Sequence, residues 1–230
     1  MSTEFEKLNT EIDRYLDLLL IIENSLIGIE SYDAYKSFSI EIIDKDETES
    51  IFKSMKSNMI LMLYNLVEAT VRNTMNTYYD KFNRKNLSYL SVVEQIKKLW
   101  IQYNIKELNQ NQFGSQIPEL INSAINNEYY LSLDFEKNFS LSGNADVREI
   151  KNILNRHGIQ FDDKLFSDYG RALKSIKDMR NSLAHGNISF EDNGRNIAVS
   201  DLIAYKQQTY VCLTQFIKLV DESEPALIKE

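Results

Sequence analysis

Seven glycines and two prolines in 230 residues leave few turn signals, so long helices are expected in place of many short strands. The lone cysteine, Cys212, excludes an internal disulfide and fits a reducing cytosol. Zinc needs about four closely spaced ligands, and one cysteine with two distant histidines, His157 and His185, does not supply them. No glycine-rich phosphate loop and no GxSxG elbow occur, which leaves ATP-driven and serine-hydrolase chemistry without support. Neither metal nor cofactor is therefore expected. Basic excess is also missing. A net charge of −8 and a pI near 5.0 argue against a nucleic-acid coat protein. They leave room for an enzyme whose positive potential is confined to a cleft.

Long hydrophobic runs are absent as well. "YLDLLLIIENSLIGI" and "MILMLYNLVEATV" are broken by carboxylates and fall short of the roughly 20 residues that span a bilayer, so both read as buried helices. "MSTEFEKLNTEIDR" is polar and acidic where a secretory signal needs a basic and then an apolar stretch. The expectation is a soluble, bacterial-type cytoplasmic protein without a membrane partner.

What the chain does have is helical periodicity. Phe5, Leu8, Ile12, Tyr15, Leu16, Leu19, Ile22 and Leu26 predict a helix over 3–29. After a connector, "SYDAYKSFSIEIIDKDETES", Asp46 or Thr48 is read as the cap of a second helix reaching about Asn83. A third covers 91–103. Residues 104–145 are rich in Asn and Gln, with a short helix led by Pro118 and a stretch at 129–143 that reads as extended. A helix from about Ala145 to His157 stops at Gly158. Another, capped by Ser167 or Asp168, stops at Gly186. "ISFEDNGRNIAV" reads as a β-hairpin turning on Asn193-Gly194. Ser200 and Asp201 then open a last helix to about Asp221. The expected architecture is all-α, a single helical domain over 1–230 with an insertion at 104–145 and a small hairpin before the last helix.

Chemistry concentrates in "DMRNSLAHGN", residues 178–187. Five helical steps turn the chain by about 140°, so Arg180 and His185 diverge on an unbroken helix. Gly186 places His185 in the last turn, where both can face one cleft. Arg180 offers a cationic fork for a phosphate. His185 offers a proton-transfer group, and Asn181 can orient either. A helix C-terminus also favours cations on its own account. On the second helix, Asn58, Asn65, Glu68, Arg72 and Asn76 fall within roughly 80° of arc. That stripe is either a solvated seam with an internal Glu68–Arg72 pair or one wall of the same cleft. Arg171, Lys174 and Lys177 form a solvated face or a guide for an RNA backbone. His157, in "LNRHGI", reads as a helix-end residue.

"RNSLAHG" at 180–186 resembles the signature of the HEPN superfamily: an Arg, often followed by Asn, then four to six residues, then a His. "LYNLVEATVRN" at 63–73 resembles the earlier HEPN helix that carries a polar residue and a glutamate. The hairpin and final helix are similar to prokaryotic, MAE-type members. The resemblance implies a helical bundle that dimerises, with two Arg–His motifs meeting in one cleft. It also implies a metal-independent endoribonuclease of a toxin–antitoxin, abortive-infection or other anti-phage system, or else a non-catalytic adaptor or nucleotide-sensing module. Arg180, Asn181 and His185 carry over as catalytic, followed by Glu68, with Asn65 carried over as substrate-binding; Arg72 of the polar stripe and Lys177 of the cationic face are read beside them as substrate-binding. RNA, a second copy and a defence-system partner or antitoxin are the implied partners. Some antitoxin-controlled members carry a tyrosine two residues after the histidine; Asn187 stands there instead.

Overall fold

A computed structural model describes residues 3–28, 44–107, 113–126, 130–141, 143, 145–167 and 169–224. Their order is α1 (Thr3–Ile27), α2 (Lys45–Arg84), α3 (Glu94–Glu107), α4 (Phe113–Ile125), α5 (Phe135–Asn138), α6 (Val147–Arg156), α7 (Gly170–Ala184), α8 (Phe190–Arg195) and α9 (Val199–Glu222), with 3-10 turns at Tyr89–Ser91 and Asp163–Phe166. No strand occurs among the described residues, and none of their helices is long and apolar enough to cross a membrane. The chain groups into two compact units. The first comprises 1–70, 145–147 and 168–214, the second 71–144, 148–167 and 215–230.

In the first unit, the apolar stripes of α1, α2, α7 and α9 are buried, with Ile12, Leu19, Ile60, Leu63, Leu173, Ile176, Leu202 and Leu213 at their centre. Polar pins fix α1. Tyr15 donates to the Met55 carbonyl at 3.1 Å, Lys206 pairs with Asp13 at 2.7 Å, and Phe5 stacks on Tyr210. The cap of α2 is Asp44, whose carboxylate accepts from the Glu47 N–H, and not Asp46 or Thr48. Those two residues lie inside the first turn, where Asp46 suits the positive helix end. Residues 29–43, most of the expected connector, lie outside the described residues.

The expected β-hairpin is instead the short helix α8. Ser189 caps it, accepting from the Asp192 N–H at 3.0 Å. Gly194 does not turn the chain: a Cβ there would collide with the Lys53 carbonyl of α2, so glycine serves close helix approach. Asn193 is buried and donates to Ser57, which itself donates to the Phe190 carbonyl at 2.6 Å. The Asn-Gly pair that suits a tight hairpin thus seats α8 on α2.

The second unit packs Tyr78, Tyr79 and Phe82 of α2 with Ile96, Ile150, Ile153, Leu154 and Phe166. His157 is 1% exposed. Its Nδ1–H donates to the Ile153 carbonyl at 2.7 Å, so Nε2 accepts from the Tyr79 hydroxyl at 3.0 Å. Burial lowers its pKa to about 4. Gly158, at φ +69°, ends this helix as its position predicts. Asn83 satisfies the backbone of the non-helical stretch before α5, exchanging two 2.9 Å bonds with Leu133. Pro118 lies inside α4 and does not lead it. The cap of α7 is Tyr169, without a side-chain bond. Ser167 closes the preceding 3-10 turn by donating to the Lys164 carbonyl, and Asp168 lies outside the described residues.

Candidate functional site

α7 keeps its helical ladder through Ala184 and ends in a hydrogen-bonded reversal. Gly186, at φ +66°, donates to the Leu183 carbonyl at 3.2 Å, and Asn187 donates to that of Ser182 at 2.9 Å. This pair of bonds is a Schellman closure, which needs a residue free to adopt positive φ at Gly186. His185 is the residue before the reversal. Its backbone stays close to helical (φ −91°, ψ 2°) and its N–H reaches the Asn181 carbonyl at 3.0 Å. The imidazole is exposed and has no hydrogen-bond partner among the described residues.

Arg180 is half-buried. Its guanidinium lies over the Tyr64 ring, 4.3 Å from the centroid, and donates to the Asn181 side-chain oxygen at 2.9 Å. Among the described residues it has no carboxylate partner, so its charge is not neutralised by an ion pair. Lys177, one turn earlier, is different. Asp146 accepts from it at 2.6 Å and holds its ammonium above the usual lysine range, with Asp178 at 3.7 Å assisting. The substrate-binding role expected of Lys177 therefore belongs to an ammonium already engaged.

Tyr64 joins these groups. Its side chain is buried, and its oxygen accepts from the Ala145 N–H at 3.2 Å. Burial raises the phenol's pKa. The Ala145 bond and the Arg180 and Lys177 cations oppose that rise, while the Glu68 carboxylate adds to it. Glu68, Arg180 and Lys177 thus share one electrostatic neighbourhood around the phenol.

Glu68 is half-buried and Asn65 exposed, and neither has a hydrogen-bond or ion-pair partner among the described residues. Arg72 falls in the second unit, and the expected i, i+4 pair between Glu68 and Arg72 does not form. Asn58, Asn65 and Asn76 are exposed, so most of the polar stripe meets water and its burial cost does not arise. The residue that periodicity passed over is Tyr64. In "LMLYNLVEAT" an aromatic reads as core, and the available signal was its position one turn before Glu68 on the same face. Among the described residues no three His, Cys, Asp or Glu side chains gather as a metal site would require.

The profile of the MAE_28990-like HEPN family matches residues 1–223. The chain belongs to this HEPN family. Arg180, Asn181 and His185 are the residues of this HEPN chain that fit the Arg-to-His signature. The pyridoxal phosphate homeostasis protein of Buchnera aphidicola subsp. Acyrthosiphon pisum (strain APS) is 26% identical over 145 residues, 61% of this chain. The aligned stretch spans 66% of that protein's length, and nothing of its named role transfers on that likeness. No solved structure matches.

Proposed function

We propose that this HEPN protein is a metal-independent endoribonuclease of a toxin or anti-phage system, with two copies of the chain building one cleft. The observation that carries the reading is an Arg180 without a carboxylate partner among the described residues, on the same helix end as an exposed His185 without a hydrogen-bond partner among them. Metal-free cleavage removes a proton from the ribose 2′-hydroxyl, whose oxygen attacks phosphorus. The P–O5′ bond breaks and the leaving 5′-oxygen takes a proton. Products are a 2′,3′-cyclic phosphate and a 5′-hydroxyl. One chain supplies one motif histidine, and a two-fold pair supplies both base and acid. Arg180 stabilises charge on the phosphoryl oxygens, Asn181 holds the guanidinium, and Glu68 and Asn65 face the RNA.

The test is cleavage of a labelled RNA by the wild-type protein with and without EDTA. Cleavage is expected to persist in EDTA and to leave cyclic-phosphate ends. His185→Ala and Arg180→Ala should each lower the rate by about 10²- to 10⁴-fold. Activity that vanishes in EDTA and returns with a divalent ion would sink the metal-independent mechanism.

A second reading, a non-catalytic adaptor or nucleotide-sensing module in a defence complex, is favoured by the net charge of −8, which argues against a broad basic face for an RNA strand. Phosphate-dependent binding without cleavage by the wild type would select it.

A further inference from the structure

Two cations on one face of α7, a turn apart, are treated differently. Lys177 is taken by Asp146, while Arg180 is held by a ring face and by an amide oxygen. Both treatments trace to one short piece of chain. The Ala145 N–H fixes the Tyr64 oxygen, and the next residue, Asp146, engages Lys177. Residues 145–147 belong to the first unit although the chain on either side does not. Tyr64 has no exposed surface, so its ring cannot swing away without opening the core around Leu63 and Val67. A ring face attracts a guanidinium without neutralising it. The contact restricts where Arg180 points and leaves the donors not given to Asn181 for an anion.

We propose that Tyr64 is a positioning residue: its ring, held by the core packed around it, aims the Arg180 guanidinium at a phosphate of the bound strand. The proposal rests on the reading above for the identity of that phosphate, and on the observed contacts for the aim.

The experiment compares wild type with Tyr64→Phe, which keeps the ring and loses the tether, and Tyr64→Leu, which loses both. Three quantities are read below each variant's melting temperature. They are the ring-current displacement of the Arg180 side-chain proton signals, affinity for an all-2′-deoxy oligonucleotide at fixed salt, and kcat/KM for RNA. The deoxy strand keeps the phosphates and lacks the attacking hydroxyl. Tyr64→Phe should keep the displacement and bind within about threefold of wild type. Tyr64→Leu should lose the displacement and bind about 3- to 30-fold more weakly, the span of a desolvated cation–ring contact. Its kcat/KM should fall at least as far. If Tyr64→Leu does not fold, Tyr64→Met, a flexible filler of similar length, replaces it. Wild-type affinity in the Leu or Met variant overturns the proposal, as does a Phe variant as impaired as Leu, or a wild-type protein that fails to bind the deoxy strand. A wild-type protein that binds the strand but never cleaves RNA defeats the ribonuclease reading alone; the signals and affinities still decide the role of Tyr64.

Discussion

His157 and His185 are the chain's two histidines, and their surroundings separate them. His157 is sealed among Tyr78, Tyr79 and Ile153 and is neutral at pH 7, with its pKa lowered to about 4. The unfolded chain takes up that proton near pH 6.5, before the folded chain does. Stability from this residue is complete above about pH 6.5 and falls as pH drops toward 4, by about 3 kcal/mol in all. Urea unfolding across that range should show the slope, and His157→Gln should flatten it, while carboxylates titrating in the same range affect both proteins alike. An unchanged slope would refute the assignment. Glu68→Gln removes charge and keeps shape. With no ion pair to break among the described residues, it should leave the melting temperature within a few degrees while lowering cleavage. A large drop in melting temperature with full activity would make Glu68 structural. At this scale the sequence marked Arg180 and His185 as candidates, because histidine is rare in this chain and His185 stands directly before a glycine stop that the structure shows at Gly186. It hid the Tyr64 ring under Arg180, because periodicity reads a buried aromatic as core and nothing more.

Helices α1, α2, α6 and α9 were legible from apolar periodicity or from a terminal signal, although Asp44 and not Asp46 or Thr48 caps α2. α8 was not. Glycine's missing Cβ serves both positive φ and close approach, and sequence does not distinguish them. Asn-Gly at 193–194 fits a hairpin turn equally well, and the Ser189 cap and contact with Lys53 decide the matter. Gly194→Ala should therefore destabilise by about 1–3 kcal/mol or more through overpacking. Ser189→Ala should cost about 1 kcal/mol. Denaturant titration checks both. If Gly194→Ala is neutral or stabilising, as for an ordinary helix glycine, the close approach is not required. The Glu68–Arg72 spacing likewise permitted a pair that did not form, because i, i+4 sets proximity and not orientation.

For the whole molecule, the proposed two-copy cleft makes a stoichiometric prediction. Wild type mixed and re-equilibrated with His185→Ala at equal amounts leaves about one quarter of dimers with two histidines. Activity should then track the square of the wild-type fraction. A linear fall, or a monomer by ultracentrifugation at micromolar concentration, would sink the shared site. The net charge of −8 sets a second expectation: only a local cationic patch binds RNA, so affinity should weaken with salt less steeply than for a basic coat protein.

The first unit is assembled from chain segments far apart in sequence, 1–70, 145–147 and 168–214. During synthesis, at about 5–20 residues per second, the 116 residues from Asn65 through Arg180 take roughly 6–23 s to add. Until Ala145 is added the α2 ring lacks its tether, and until Arg180 is added it lacks its cation. On the ribonuclease reading, a ribosome that halts before α7 releases no partial nuclease, and the message being translated is spared until α7 has been read.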